Sequence, residues 1–366
     1  MEKQVRVIAF YLPQYHPTET NNKFYGEGFT EWTNVGKAKP LYRGHYQPKV
    51  PADLGYYDLR YPEIKEKQAE LAKEAGIEGF CYYHYWFGDG KQEIEQPFKQ
   101  VIENGQPDFP FCLCWANQSW YAKFWNHENK RDKLIVEQRY DDEQGIEKHF
   151  YSLLNAFNDK RYIKIDGKLL FMIYRPLEYP DVALFMRKWQ ELAKTNNLPK
   201  FYFIGQATSD QQAEEILKIG LDGVNIVRKD DFMSKFRYCN PITKTINKIQ
   251  RLFGLAPYHY DYKKIYKSFI KKDGIEKEEN VFPTIIPNWD HSPRSGKRGS
   301  IFDNSTPENF ACHLMEAIDV VKNKSKEKKI IFLKSWNEWG EGNYVEPCIK
   351  YGKGYLKILA KYLFKN

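Results

Sequence analysis

Eight short apolar runs recur along the chain, at residues 5–11, 77–83, 109–115, 168–174, 200–206, 221–227, 281–286 and 329–335, several of them rich in Val, Ile, Phe or Tyr. Runs of this length bounded by turn residues predict buried strands. Longer stretches with helical spacing lie between them and predict helices over Pro62–Ala75, Gln144–Asn158, Asp181–Thr195, Asp210–Ile219 and Thr306–Lys322. Thr306 followed by Pro307 gives the last of these an N-cap and a first-turn proline. Strand and helix alternate eight times over 366 residues, which favours a single α/β domain, a (β/α)8 TIM-type barrel with extended βα loops, over an open doubly wound sheet.

In such a barrel the chemistry collects where the strands end. The segments following the predicted strands are YLPQYHP and GEGFTEW (Gly26–Trp32), YYHYWFGDG (Tyr82–Gly90), WANQSWYAKFW (Trp115–Trp125), Tyr174 with Arg175, PNWDHSPR (Pro287–Arg294) and SWNEWGEGNYVEP (Ser335–Pro347). Most of the nine tryptophans therefore fall on one rim. Aromatics make up 16% of the chain, and their flat apolar faces suit sugars, although large cores use them too.

Hydrophobic residues at 42% and charged residues at 28% exclude a disordered or collagen-like chain. No run approaches the roughly 18 to 20 apolar residues of a membrane-spanning helix. Val7–Leu12 follows Glu2 and precedes no small-residue cleavage site, so it reads as a first strand rather than a leader. The six cysteines form no CxxC pair, and Cys112 and Cys114 fall on one face of one strand; a reduced, cytoplasmic setting is expected.

The sharpest segment is Trp336-Asn337-Glu338-Trp339-Gly340-Glu341-Gly342, with two carboxylates three residues apart among tryptophans and glycines. Glycosidic bond cleavage commonly needs such a pair, one protonated to donate to the leaving oxygen and one ionised to act as base or nucleophile. Apolar neighbours and mutual repulsion separate the two pKa values. An aromatic loop with solvated glutamates is the plainer alternative, but its place after the last strand favours catalysis by Glu338 and Glu341.

Taken in order, YLPQYHP with GEGFTEWTNV, FCYYHYWF, FCLCWANQSW, PNWDHSPR and SWNEWGEGNYVEP resemble the WbsX-type proteins of bacterial surface-polysaccharide gene clusters, relatives of glycoside hydrolase family 99, the endo-α-mannosidase type. The resemblance runs from about Val5 to Pro347 and implies a (β/α)8 barrel with a carbohydrate-active site. It also implies roles: Glu338 is similar in position to the glutamate that takes a proton from the sugar 2-hydroxyl, and Glu341 to the general acid and then base. Attack by O2 on C1 requires a 2-hydroxyl trans to the leaving group, as in α-mannosides. Two positions depart from the hydrolase pattern: Gly340 stands where those enzymes have His, and Gln118 where many relatives have Glu.

The expected substrate contacts are Glu27, Glu31 and Trp32 from the first loop, Tyr82 and His84 from the second, and Trp115, Asn117 and Trp120 from the third. Trp289, Asp290 and Arg294 follow the seventh strand, and Trp336, Asn337 and Trp339 the eighth. Each has a structural alternative: the tryptophans as packing, Asp290 with Arg294 as an ion pair, and His16, His84 or His291 as hydrogen-bonded core histidines. No HxxxH or paired Cys/His spacing occurs, so no metal is assigned, and no cofactor is expected.

The expected function is cleavage or transfer of α-linked mannose-like sugars of an oligo- or polysaccharide in O-antigen, lipopolysaccharide or capsule metabolism. One rival is a nucleotide-sugar glycosyltransferase, although the chain has no Asp-x-Asp, GxGxxG or GxxxxGK. Another is a non-catalytic glycan-binding protein, which needs no Glu341.

Residues 228–273 carry twelve Lys and Arg against four Asp, which accounts for the whole net charge of +8. A basic insertion over 228–280 is thus expected within the 1–366 domain. Asn240, Pro241 and Gly254 bound a predicted helix at 241–253 with Ile242, Ile246, Ile249, Leu252 and Phe253 on one stripe and Lys244, Lys248 and Arg251 opposite. Packing on the barrel is one reading; peripheral contact with anionic membrane through 241–253 is the other. Nucleic acid is not an expected partner, since no binding motif accompanies the charge.

Overall fold

The computed structural model describes residues 3–122, 133–229 and 258–364, with Met233, Thr245 and Ile249 alone between the last two segments. All eight predicted strands form: β1 (Arg6–Tyr11), β2 (Gly79–Trp86), β3 (Phe111–Trp115), β4 (Lys168–Ile173), β5 (Phe201–Ala207), β6 (Gly223–Ile226), β7 (Val281–Ile285) and β8 (Ile330–Leu333). Each is parallel to its neighbours, and β1 closes the ring by pairing with β2 through Ile8–Gly79 and with β8 through Ala9–Leu333. Strands buried on both faces have no polar side to alternate, which is why they read as short apolar runs. The fold is a closed (β/α)8 barrel.

The predicted helices form with shifts at their ends, over Pro62–Glu74, Glu143–Ser152, Val182–Thr195, Asp210–Lys218 and Pro307–Val321. The Thr306 hydroxyl caps the last by accepting from the Asn309 N–H at 3.3 Å. The helix expected to run to Asn158 breaks at Leu153 and resumes over Leu154–Phe157. Against the outer face of β3 to β5 these helices bury an aromatic sheath in which Trp189 lies 4.5 Å from the Phe185 ring centre and 4.6 Å from that of Phe171.

β2 continues past the barrel lip, beyond the predicted end at 83. His84 still pairs with Trp115, and Tyr85 and Trp86 pair with the short strand Gln92–Glu93. Aromatic residues favour the pleated conformation, so the segment expected as loop is strand. Its side chains therefore alternate between the barrel interior and the outer sheath.

Of the predicted insertion helix at 241–253, only Thr245 and Ile249 are described; both are helical and Ile249 is exposed. The other positions of that predicted helix, and with them the rest of its apolar stripe, lie outside the described residues. Around it, Arg228 pairs with the buried Glu276 and with Asp210, and Tyr260, Tyr262, Ile265 and Phe269 pack with Trp289 and Phe302 in a second apolar cluster. Among the described residues no helix is long and apolar enough to cross a membrane.

Candidate active site

The loop after β8 is held against the start of the chain. The Asn337 side chain accepts from the Leu12 N–H at 2.8 Å and donates to the Leu12 carbonyl at 3.0 Å, splicing the ends of β8 and β1. Tyr15 donates its hydroxyl to the Asn337 carbonyl and accepts from the Trp339 N–H. The Trp339 indole donates to Glu346 at 2.6 Å and its ring stacks on Tyr344 at 3.6 Å. Glu346, buried and pushed up to about 7 by desolvation, also accepts from Gln68 and Tyr57. So clamped, the loop turns through a left-handed Gly342 and directs Glu338 and Glu341 into the barrel mouth.

There the two carboxylates share one donor. Arg294 Nη1 lies 3.0 Å from Glu338 Oε1 and 2.7 Å from Glu341 Oε1, while Arg294 Nε donates to Glu31 Oε2 at 3.0 Å. His291 Nε2 stands 3.4 Å from Glu341. Burial, and then the charge of Glu341, push the Glu338 carboxyl up against the opposing pull of Arg294 and Lys334. Burial acts in the same sense on Glu341, but Arg294 and His291 overcome it and hold that group well below the usual carboxylate range. The two carboxyls are thus pushed in opposite directions, Glu338 up and Glu341 down.

The cavity above them is about 550 Å³. Tyr83, Tyr85, Trp120 and Tyr174 give it aromatic walls; Lys334 and Glu178 add charge. Gly340 explains one departure from the hydrolase pattern. A Cβ at that position would collide with the Glu31 carboxylate and lie 2.9 Å from Arg294 Nε, so the Glu31–Arg294 pair fills the space a side chain at 340 would take.

Of the residues expected at the site, Glu31, Trp120, Arg294, Glu338 and Glu341 line this cavity, and Gln118 and His291 join them. The others stand elsewhere, each for a visible reason. Tyr82 and His84 occupy the outward positions of β2: Tyr82 packs on Tyr11 and Phe98, and His84 faces His149 at 2.9 Å, its pKa driven to about 3 by burial. Trp115 is outward too, its indole donating to the Trp86 carbonyl. Asn117 ties the third loop to Arg175, accepting from its N–H and donating to its carbonyl.

Trp32 donates to the Tyr57 carbonyl, and Trp336 and Asn337 are fully buried beneath the loop. Trp289 donates to Ser300 and carries the Lys229 ammonium 3.7 Å above its ring. Asp290 accepts from His45, Gln47 and Ser292 behind the cavity wall. Glu27 is exposed and bonded to Asn22.

Sequence reasoning did not select Tyr83, Tyr85 or Lys334. The signal was strand parity: Cys81, Tyr83 and Tyr85 share a face, and a Lys at the end of an otherwise apolar strand needs a charged destination.

In enzymes built on a closed parallel barrel the active site sits at the C-terminal ends of the strands, which is where this chain gathers Glu338, Glu341 and Arg294. Residues 7–359 match the family model described as Glycosyltransferase WbsX, and the chain belongs to that family. Two proteins from strains of Xanthomonas campestris pv. campestris, both described as "Uncharacterized protein WxcX", are 29% identical over 361 residues, which are 96% of this chain and 48% of theirs. The chain thus spans about half the length of the curated relatives it matches. Among solved structures, a "Glycoside hydrolase-like protein" is similar with TM-score 0.61 at 16% identity, covering 100% of this chain and 95% of that one. The family 99 endo-α-mannosidase of Bacteroides thetaiotaomicron is similar with TM-score 0.55 at 15% identity, covering 98% and 95%.

Proposed function

We propose that the protein is a glycan-processing enzyme that cleaves or transfers α-linked mannose-like sugars in bacterial surface-polysaccharide metabolism, with Glu338 and Glu341 as the catalytic pair. The observation that carries this reading is the pair itself, hung from a single guanidinium nitrogen at the mouth of an aromatic-walled cavity. Sharing one donor nitrogen, at 3.0 and 2.7 Å, aims an oxygen of each carboxylate at the same point of the cavity, where both can reach one sugar ring. The similarity of fold to an endo-α-mannosidase supports the sugar class.

In the proposed reaction Glu338 takes the proton of the sugar 2-hydroxyl as O2 attacks C1. Glu341 delivers its proton to the departing glycosidic oxygen as the C1–O bond breaks. Water or a second sugar hydroxyl, deprotonated by Glu341, then attacks C1; the O2–C1 bond opens and Glu338 returns its proton to O2. This order requires Glu341 to hold the proton at the outset, against the directions in which the protein's own groups push the two carboxyls. Substrate supplies the inversion: a 2-hydroxyl donating to Glu338 favours its charged form, and a glycosidic oxygen beside Glu341 favours the protonated one.

The test is a leaving-group series. Glu341→Gln should lower turnover on the order of 100- to 10,000-fold for natural glycosides and much less for activated ones. A 2-deoxy substrate should not turn over. Equal loss on both leaving groups, or normal turnover without the 2-hydroxyl, would refute the assignment. Micromolar binding of a nucleoside diphosphate in calorimetry would instead favour the nucleotide-sugar transferase.

A further inference from the structure

A second cavity of about 620 Å³ lies on the far side of the wall formed by the loops after β7 and β8. The wall is thin: the Asp290 N–H donates to the Glu341 carbonyl at 2.7 Å, and Lys49 Nζ reaches the Gly342 carbonyl at 3.4 Å and Asp290 at 3.8 Å. Glu341 and His291 face the first cavity from this wall, and Asp290 and Tyr344 face the second.

The two cavities have opposite charge. The first presents Glu31, Glu178, Glu338 and Glu341 against Arg294 and Lys334. The second presents Arg43, Lys49 and Lys350 against Asp290 and Asp303, and both carboxylates are already engaged. Asp290 accepts from His45, Gln47 and Ser292; Asp303 accepts from Tyr42 and His259. Among the described residues Arg43 has no carboxylate partner, and Lys350 lies over the rings of Tyr46 and Tyr351, 4.6 and 5.1 Å from their centres, rather than beside an acid.

The rest of the lining is mixed: phenol, imidazole, amide and hydroxyl groups alternate with the apolar faces of Tyr42, Tyr344, Tyr351 and Tyr355 and with Ile301 and Phe302. An Arg and a Lys without an acidic partner, set among hydroxyl, amide and aromatic groups, suit an oxyanion on a polyhydroxylated carrier.

We infer that this cavity is an accessory binding site for an acidic saccharide, with Arg43 and Lys350 holding a carboxylate or phosphate borne on the sugar. The saccharide half of this inference rests on the glycan reading of the first cavity; the acidic half rests on the charge of the second. Lying across the wall that the Asp290–Glu341 hydrogen bond holds together, the site would retain an acidic unit of the glycan while another unit is processed.

The test measures binding rather than turnover, so it stands apart from the catalytic assignment. Calorimetry on the whole protein would compare a neutral oligosaccharide, a uronate-bearing one of the same length and a glycosyl phosphate. One or both acidic probes should bind tighter than the neutral one, and whichever does identifies the anion. The exposed double substitution Arg43→Gln with Lys350→Gln should weaken that binding on the order of tenfold or more, while Glu341→Gln leaves it intact. The inference is overturned if the neutral probe binds as well as the acidic ones, if the double variant binds them undiminished, or if Glu341→Gln abolishes acidic binding and so assigns it to the first cavity.

Discussion

Tyr83 and Tyr85 look into a cavity floored by glutamates, and Tyr82 and His84, their immediate neighbours on the same strand, look into an aromatic sheath. One strand thus serves two regions with opposite demands. The inner face keeps three carboxylates, a guanidinium and an ammonium close together, where each needs the others and the ligand to satisfy it. The outer face buries Trp115, His149, Phe185 and Trp189 against helices and asks only for shape. The comparison teaches that chemistry and stability are separated here by a single residue of register, so substitutions one position apart should fail in different assays.

The largest separation is expected between Glu341 and Trp189. Glu341→Gln should cost the full general-acid contribution in turnover with little change in denaturant midpoint. Trp189→Ala should cost about 3 to 5 kcal/mol of stability in a urea titration and leave the turnover of the folded fraction near normal. If the Trp189 variant loses turnover per folded molecule, the two faces are not independent.

A smaller effect concerns pH. His84, at about 3, and His149, lowered well below its ordinary value, are held neutral by burial in the sheath; His313, at about 3, is buried with neither ring nitrogen hydrogen-bonded. Unfolding lets each bind a proton below about 6.5. Because the unfolded chain takes up more protons at these three sites, their contribution to stability should fall as pH drops from about 6.5 toward 3 and level off above it, while the buried Glu346, raised to about 7, contributes in the opposite sense. In His313→Leu the slope over that window should flatten; an unchanged slope would remove His313 from the account.

The smallest effect refines the parity itself. Tyr85→Phe removes one hydroxyl from the cavity near Glu338 and should change KM or kcat by roughly 2- to 10-fold without moving the melting temperature. Tyr82→Phe should change neither kinetic constant. Reversal of these two results would place the wrong face inward.

The barrel was legible because fully buried parallel strands print themselves as short apolar runs, and turn residues mark their limits. Glu338 and Glu341 were legible because their relation is local. The motifs were less informative about which side chains reach the cavity: Trp336, Asn337 and Trp339 sit in the same segment yet point into the protein to clamp it. Parity would have replaced Tyr82 and His84 with Tyr83 and Tyr85, but only once β2 was known to run on to Trp86. The Glu31–Arg294–Gly340 arrangement could not be read at all, because it joins three distant parts of the chain through space that a side chain at 340 would occupy.

The Asn337 splice to Leu12 has a consequence in time. A growing polypeptide emerges with β1 first, and its partner across the seam follows some three hundred residues later. The groups that hold the loop carrying Glu338 and Glu341 come from both edges of the seam, so that loop is fixed only when β8 has joined β1. Closure of the barrel and assembly of the proposed active site are thus one event.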